Sequence, residues 1–150
     1  MPRHLEKKVL PYTPTQLFDL VADVSRYHEF LPWCQQSRVY DQTEAGLRAD
    51  LLVGYRSVCD TFSSVVRLDR PRSIDVNYVE GPLAHLSNRW QFDPAPNGQC
   101  EVTFFVDFRF RSMLLGVMMD AFFDRAFLKM VEAFEARAAA LHGPAYAKAG

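Results

Sequence analysis

The sequence predicts an α+β domain in which a curved antiparallel sheet of about seven strands wraps a long C-terminal helix. Three observations carry that prediction. Between residues 36 and 111, apolar and polar residues alternate with a period of two, in runs broken by turn-forming residues. The runs lie too close together to be parallel strands, which need crossovers of about a dozen residues. From residue 112 to 141 the period becomes helical, with an aromatic and thioether face opposite a charged one.

Taken in chain order, Arg3 to Leu10 reads as a short strand that Pro11 ends. Thr13-Pro14 places an N-cap before a proline at the first helical position. Leu17, Phe18, Leu20 and Val21 then recur at helical spacing, so a helix spans about Pro14 to Ala22. Ser25 opens a second helical turn through Tyr27 and Phe30, which Pro32 must terminate. Six strands follow at 36–44, 47–56, 58–69, 73–80, 85–93 and 100–111. Glu44-Ala45-Gly46, Arg70-Pro71-Arg72, Gly81-Pro82 and Asn97-Gly98 supply turns between them. In the last strand Val102, Phe104, Val106, Phe108 and Phe110 share one face, and Thr103, Phe105, Asp107 and Arg109 share the other. The helix runs from about Ser112 to Leu141 and stops at Gly143-Pro144. Met119, Phe122, Phe123, Ala126, Phe127, Met130 and Phe134 fall in one half of its wheel, with Asp124, Arg125, Lys129, Glu132 and Glu135 in the other. Residues 1–144 are expected to form the domain and 145–150 a frayed tail.

Composition limits what such a domain can do. At 150 residues it can bury about two thirds of its extended surface without metal or disulfide staples. Seventeen Lys and Arg stand against eighteen Asp and Glu, so the chain carries no basic footprint for bulk nucleic acid, and DNA is not an expected partner. The N-terminal residues show no signal-peptide core, and the apolar stretch from Met113 to Met119 falls far short of the roughly 20 residues that span a bilayer. Cys34, Cys59 and Cys100 form no C-x-x-C pair and read as reduced thiols in a cytoplasmic protein. No group of Cys, His and carboxylates has metal-ligand spacing.

No nucleophile elbow, phosphate loop, dinucleotide fingerprint or zinc-protease motif is present. Asp60 and Asp107 would act as acid or base only if turned into an apolar cavity. Carboxylates usually face water, so both are expected on the outer side. His85 after the Gly81-Pro82 turn has no acidic residue at useful spacing and reads as an ordinary, partly exposed histidine. Cys34 has no cation beside it in sequence and reads as a small buried hydrophobe.

Twelve phenylalanines are the unusual feature. Many fall on the last strand and the long helix, two surfaces that must face each other. Rings on both walls do not interdigitate to core density unless some are held apart. A ligand space between sheet and helix is therefore expected. Phe30-Leu31-Pro32-Trp33, a proline-fixed apolar turn, is either a gate over that space, a membrane anchor or a plug on the core.

Several motifs in order carry a family resemblance. They are Val9-Leu10-Pro11-Tyr12, Val21-Ala22-Asp23-Val24, Tyr27-His28-Glu29-Phe30-Leu31-Pro32-Trp33-Cys34, Gly81-Pro82-Leu83 with Leu86, Asn88, Trp90 and Phe92, Phe108-Arg109-Phe110-Arg111-Ser112, and Phe122-Phe123-Asp124 with Ala133-Phe134-Glu135. Over about residues 3 to 142 the chain resembles the coenzyme Q-binding START-like proteins. That resemblance implies a helix-grip fold around a lipid-sized tunnel. It also implies binding of ubiquinone in support of respiration, with no reaction catalysed and no covalent cofactor. The same family includes the RatA ribosome-association toxins, which bind the large ribosomal subunit. Trp33-Cys34 and Phe122-Phe123-Asp124 resemble the quinone-binding branch.

On that footing Trp90, Phe92, Phe104 and Phe108 are the expected sheet wall, and Met119, Phe123 and Phe127 the helix wall. Leu31, Trp33 and Leu83 are the expected mouth. Asn88 and Arg48 are the candidates for a polar contact to a quinone head. A carrier for such a lipid is expected to touch the inner-membrane surface transiently. The alternative, ribosome contact, needs a basic patch, for which Lys7-Lys8, Arg67, Arg70 and Arg72 are the local supply. A cyclase or hydrolase would need an acid–base residue in the tunnel, with Asp60 the candidate.

Overall fold

The computed structural model describes residues 3–31, 33–55, 58–81, 83–114 and 123–143, and only the backbone for residues 3, 55, 58–59 and 123–127. The strands are β1 (Arg3–Leu10), β2 (Cys34–Tyr40), β3 (Gly46–Tyr55), β4 (Val58–Asp69), β5 (Ser73–Glu80), β6 (Leu83–Ala95) and β7 (Gln99–Phe110). They form a curved antiparallel sheet in the order β1-β7-β6-β5-β4-β3-β2. The described residues also form helices α1 (Pro14–Ala22) and α2 (Phe123–His142) and short 3-10 helices at Val24–Glu29 and Pro96–Gly98. Every hairpin neighbour in sequence is a neighbour in the sheet, and β1 returns to pair with β7 from Arg3↔Asp107 to Leu10↔Cys100. This is the α+β class that the periodicities predicted, and it matches the helix-grip fold that the resemblance implied.

Local chemistry explains the boundaries. The Thr13 hydroxyl accepts from the Gln16 amide at 3.2 Å, while the Gln16 side chain accepts from the Thr13 amide at 2.9 Å, a reciprocal capping box. Asn97 and Gly98 both sit at positive φ, 65° and 72°, as the tight β6–β7 turn requires. β2 ends at Tyr40, short of the expected 44, because Asp41 turns the chain at φ 53°. β6 exceeds its expected bounds and tolerates Pro94 because β5 stops pairing at Gln91, leaving that flank of the ladder free. Helix α2 ends where Gly143, at φ 93°, donates to the Ala139 carbonyl at 2.9 Å. Of its expected start, Met113 and Leu114 are helical, while residues 115–122, with Met119 and Phe122, and the expected tail at 145–150 lie outside the described residues.

Most of the packed core lies at one end of the sheet. Helix α1 lays Leu17, Phe18, Leu20 and Val21 against Ile74, Phe92 and Cys100, and α2 adds Phe134 and Ala138. Phe18 and Phe92 meet edge to face with centroids 5.9 Å apart. The Tyr12 hydroxyl donates to the Gly143 carbonyl at 2.9 Å, tying the chain before α1 to the end of α2. Toward the other end the packed core gives way to open space.

Candidate ligand-binding cavity

Inner-face residues of β3 to β7 and the turn after α1 enclose a cavity of about 350 Å³. Alternation puts Phe62, Ser64 and Val66 of β4 on its wall, opposite Asn88 and Trp90 of β6 and Phe104 to Phe110 of β7. From α2, Met130 and Phe134 close it. Rings brace the space open. Trp90 stands edge-on to Phe104 at 4.6 Å and to Phe134 at 5.1 Å, and Phe134 is edge-on to Phe30 at 5.3 Å and Tyr27 at 5.6 Å. Side chains propped against each other in this way cannot fold inward to fill the gap.

Polar groups on the described wall are few. Asn88 donates one amide hydrogen to the Phe105 carbonyl at 2.8 Å, which leaves its other amide hydrogen and its carbonyl oxygen. Ser64 is buried and lines the same space. The Tyr27 hydroxyl donates to the Val21 carbonyl, and burial, with Asp23 and Cys34 nearby, pushes its phenol far above the ordinary range. Tyr27 is thus a neutral structural group at any working pH.

The rim is held from two sides. On one, Leu31 donates to Tyr27 at 2.9 Å, Cys34 to Leu31 at 3.2 Å and Gly54 to Trp33 at 2.9 Å, so Leu31 and Trp33 are set on the cavity wall. Phe30 lies under the Arg137 guanidinium at 5.1 Å, and Arg137 is paired with Glu29 at 3.0 Å. On the other, the Leu83 amide donates to the Tyr78 hydroxyl at 2.9 Å, and Arg111 donates to the Leu83 carbonyl at 3.1 Å. Gly81, at φ 147°, makes this rim possible, because a Cβ there would lie 2.9 Å from the Thr61 carbonyl oxygen.

Of the residues singled out from sequence, Leu31, Trp33, Leu83, Asn88, Trp90, Phe104 and Phe108 stand on the cavity wall. Phe92 does not. It shares a strand face with Trp90, but the chain there runs beneath α1, where Phe92 is 2% exposed and stacked behind Trp90 at 6.2 Å. The side chains of Met119, Phe123 and Phe127 lie outside the described residues. Arg48 is on the outer face, its guanidinium 5.6 Å from the Tyr40 ring, because Leu47, Ala49 and Leu51 take the inward positions of β3. Asp60 is exposed and accepts from the Thr61 amide at 2.8 Å. Asp107 lies on the outer face, 3.8 Å from His85, a partner that β6–β7 pairing supplies and linear spacing could not reveal. Phe62, Ser64, Leu86 and Tyr27 also line the cavity and are not among the wall and mouth residues expected from sequence, although alternation within β4 points to the first two.

Two of the basic residues that a ribosome contact would draw on are already engaged. Lys8 pairs with Glu135, and Arg70 holds Asp19 through Nε at 2.8 Å and Nη2 at 2.9 Å. Among the described residues no group of three or more His, Cys, Asp and Glu could hold a metal, and no helix is long and apolar enough to cross a membrane.

The thiols match the reading of Cys34 as a small buried hydrophobe. Burial pushes Cys34 up to about 11, and burial with Asp93 and Glu101 nearby does the same to Cys100, from an ordinary 9.0. Protons held more tightly in the fold stabilise it below pH 9 and cease to do so as the pH rises through 11. The urea midpoint should therefore be level near neutrality and fall across that window; a midpoint unchanged to about pH 11 would contradict this placement of the thiols.

Residues 10–135 match the family model described as polyketide cyclase/dehydrase and lipid transport. The chain belongs to this family. Within it, the ribosome association toxin RatA of Pseudomonas aeruginosa is 37% identical over 144 residues, covering 95% of this chain and 100% of the relative. The mitochondrial coenzyme Q-binding protein COQ10 homolog B of Xenopus laevis is 34% identical over 142 residues, covering 92% of this chain and 58% of the relative. Among solved structures, the 18 kDa protein CC1736 of Caulobacter crescentus is 42% identical with a TM-score of 0.76, covering 96% of this chain and 100% of that one. The Zhui aromatase/cyclase of Streptomyces sp. R1128 reaches a TM-score of 0.80 at 17% identity, covering 91% and 93%, a likeness of fold alone. The protein is thus a START-like member of the polyketide cyclase/dehydrase and lipid transport family, built on a ligand-binding fold.

Proposed function

We propose that this START-like protein is a non-catalytic carrier or chaperone for ubiquinone or a similar isoprenoid quinone in support of respiratory electron transfer. The observation that carries this reading is the braced 350 Å³ cavity, walled by Trp and Phe, with Asn88 and Ser64 as hydrogen-bonding groups. A quinone head is a flat ring with two carbonyl acceptors, and it needs aromatic walls and a donor. Its tail needs only apolar surface, worth about 0.8 kcal/mol per buried methylene. A cavity of this size is at the small end for ligand sites, so it takes the head and the start of the tail. A ligand longer than the cavity projects through the mouth, which implies loading and release at an inner-membrane surface by a cytoplasmic protein. The likeness to a protein named as coenzyme Q-binding supports the same ligand class.

Both tryptophans of the chain line the cavity, so a bound quinone quenches intrinsic fluorescence. Titration with a short-tailed ubiquinone should give saturable quenching; a linear, non-saturating response would contradict the proposal. Asn88→Leu should weaken the quinone about fivefold to tenfold, the worth of one buried hydrogen bond, and leave an alkyl probe without carbonyls nearly unaffected. Equal loss for both probes would show that Asn88 only supports the Phe105 strand.

A second reading is favoured by one observation, the match along the whole length of a protein named as a ribosome association toxin. On that reading the protein contacts the large ribosomal subunit and blocks subunit joining. Cosedimentation with large subunits at physiological salt would support it, and absence from that fraction would remove it.

A further inference from the structure

Behind the main cavity lies a smaller one of about 60 Å³, bounded by β1, α1, β6, β7 and α2. Val21, Trp90, Phe104 and Phe134 line both. The three aromatic rings therefore form a partition one side chain thick. Trp90 and Phe104 are fixed in it, since they face each other in the β6–β7 ladder and Phe92 backs Trp90. Phe134 is the contribution of α2, held edge-on by Trp90, Phe30 and Tyr27. Beyond the partition the small cavity is walled by Leu17, Leu20 and Val102 and reaches Lys8 and Glu135, whose ion pair spans β1 and α2. Its inner surface is thus apolar, with a charged pair at the end facing solvent.

We propose that this partition is a length stop: the apolar chain of a ligand in the main cavity ends against Phe134, and the small cavity is the space a longer chain enters once Phe134 is reduced. The inference rests on the lipid-carrier reading and adds to it which ligands fit wholly inside. Each further methylene buried is worth about fourfold in affinity. Methylenes added after the chain has met Phe134 push the other end of the ligand out through the mouth and add little.

Fluorescence titration of the full chain with alkylquinones of graded tail length tests this directly. In the wild type, affinity should rise about fourfold per carbon and then level off. In Phe134→Ala the levelling point should move to longer tails by a few carbons, with a smaller shift in the same direction for Phe134→Leu, which serves if the alanine variant does not fold. Leu20→Ala, which enlarges the small cavity and leaves the partition intact, should level off where the wild type does. Coincident levelling points in the wild type and both Phe134 variants would overturn the length stop while leaving the carrier reading standing, and so would a shift in Leu20→Ala. A wild type that binds no member of the series would overturn both.

Discussion

Val106→Phe is expected to cost the protein its quinone, by about a hundredfold in affinity or some 2.7 kcal/mol, with little change in stability. Val106 sits in β7, paired with Asn88 on one side and His4 on the other, so the ladder fixes its backbone from both flanks. Its side chain lines the cavity beside Asn88. Added bulk in a filled core costs about 1–3 kcal/mol, but here the ring enters open space and gains contacts. Tryptophan quenching and a thermal melt on the same sample separate the possibilities. Unchanged affinity would place the ligand elsewhere, and a melting temperature lowered by many degrees would show that the space is not there to be filled.

Phe92→Ala should be the most destabilising of the single changes considered, by about 3–5 kcal/mol. Phe92 is 2% exposed and lies between Phe18 of α1 and Trp90 of the cavity wall, so its removal leaves a void between α1 and β6. For a domain of this length each kcal/mol lowers the melting temperature by about 2–4 °C, giving a fall of roughly 10 °C. Urea unfolding measures it; a loss under about 1 kcal/mol would mean that α1 can settle onto the gap.

The contrast between Phe92 and Trp90 shows how far sequence reading could go. Alternation put both on the inner face of β6, and both are there. Which of them meets the cavity depends on how far α1 reaches across the curved sheet, a tertiary matter that no period records. Arg48 was misplaced for a simpler reason. Its own strand alternation, with Leu47, Ala49 and Leu51 inward, assigns it outward, where its guanidinium meets the Tyr40 ring. His85 and Asp107 are 22 positions apart and are brought together by the β6–β7 pairing, which sets His85 against Arg109 and Ser87 against Asp107. Caps and turns were legible because each depends on a few adjacent residues: the Thr13 box, the Asn97-Gly98 hairpin and the Gly143 stop are local chemistry.

The central claim, that the cavity holds an isoprenoid quinone, is tested most directly by purifying the full chain from quinone-producing cells. Native mass spectrometry followed by solvent extraction then identifies what it carries. A quinone bound at one per chain in the wild type and absent from Val106→Phe is the expected result. Phospholipid or no apolar ligand in the wild type, or the same quinone content in both proteins, would contradict it.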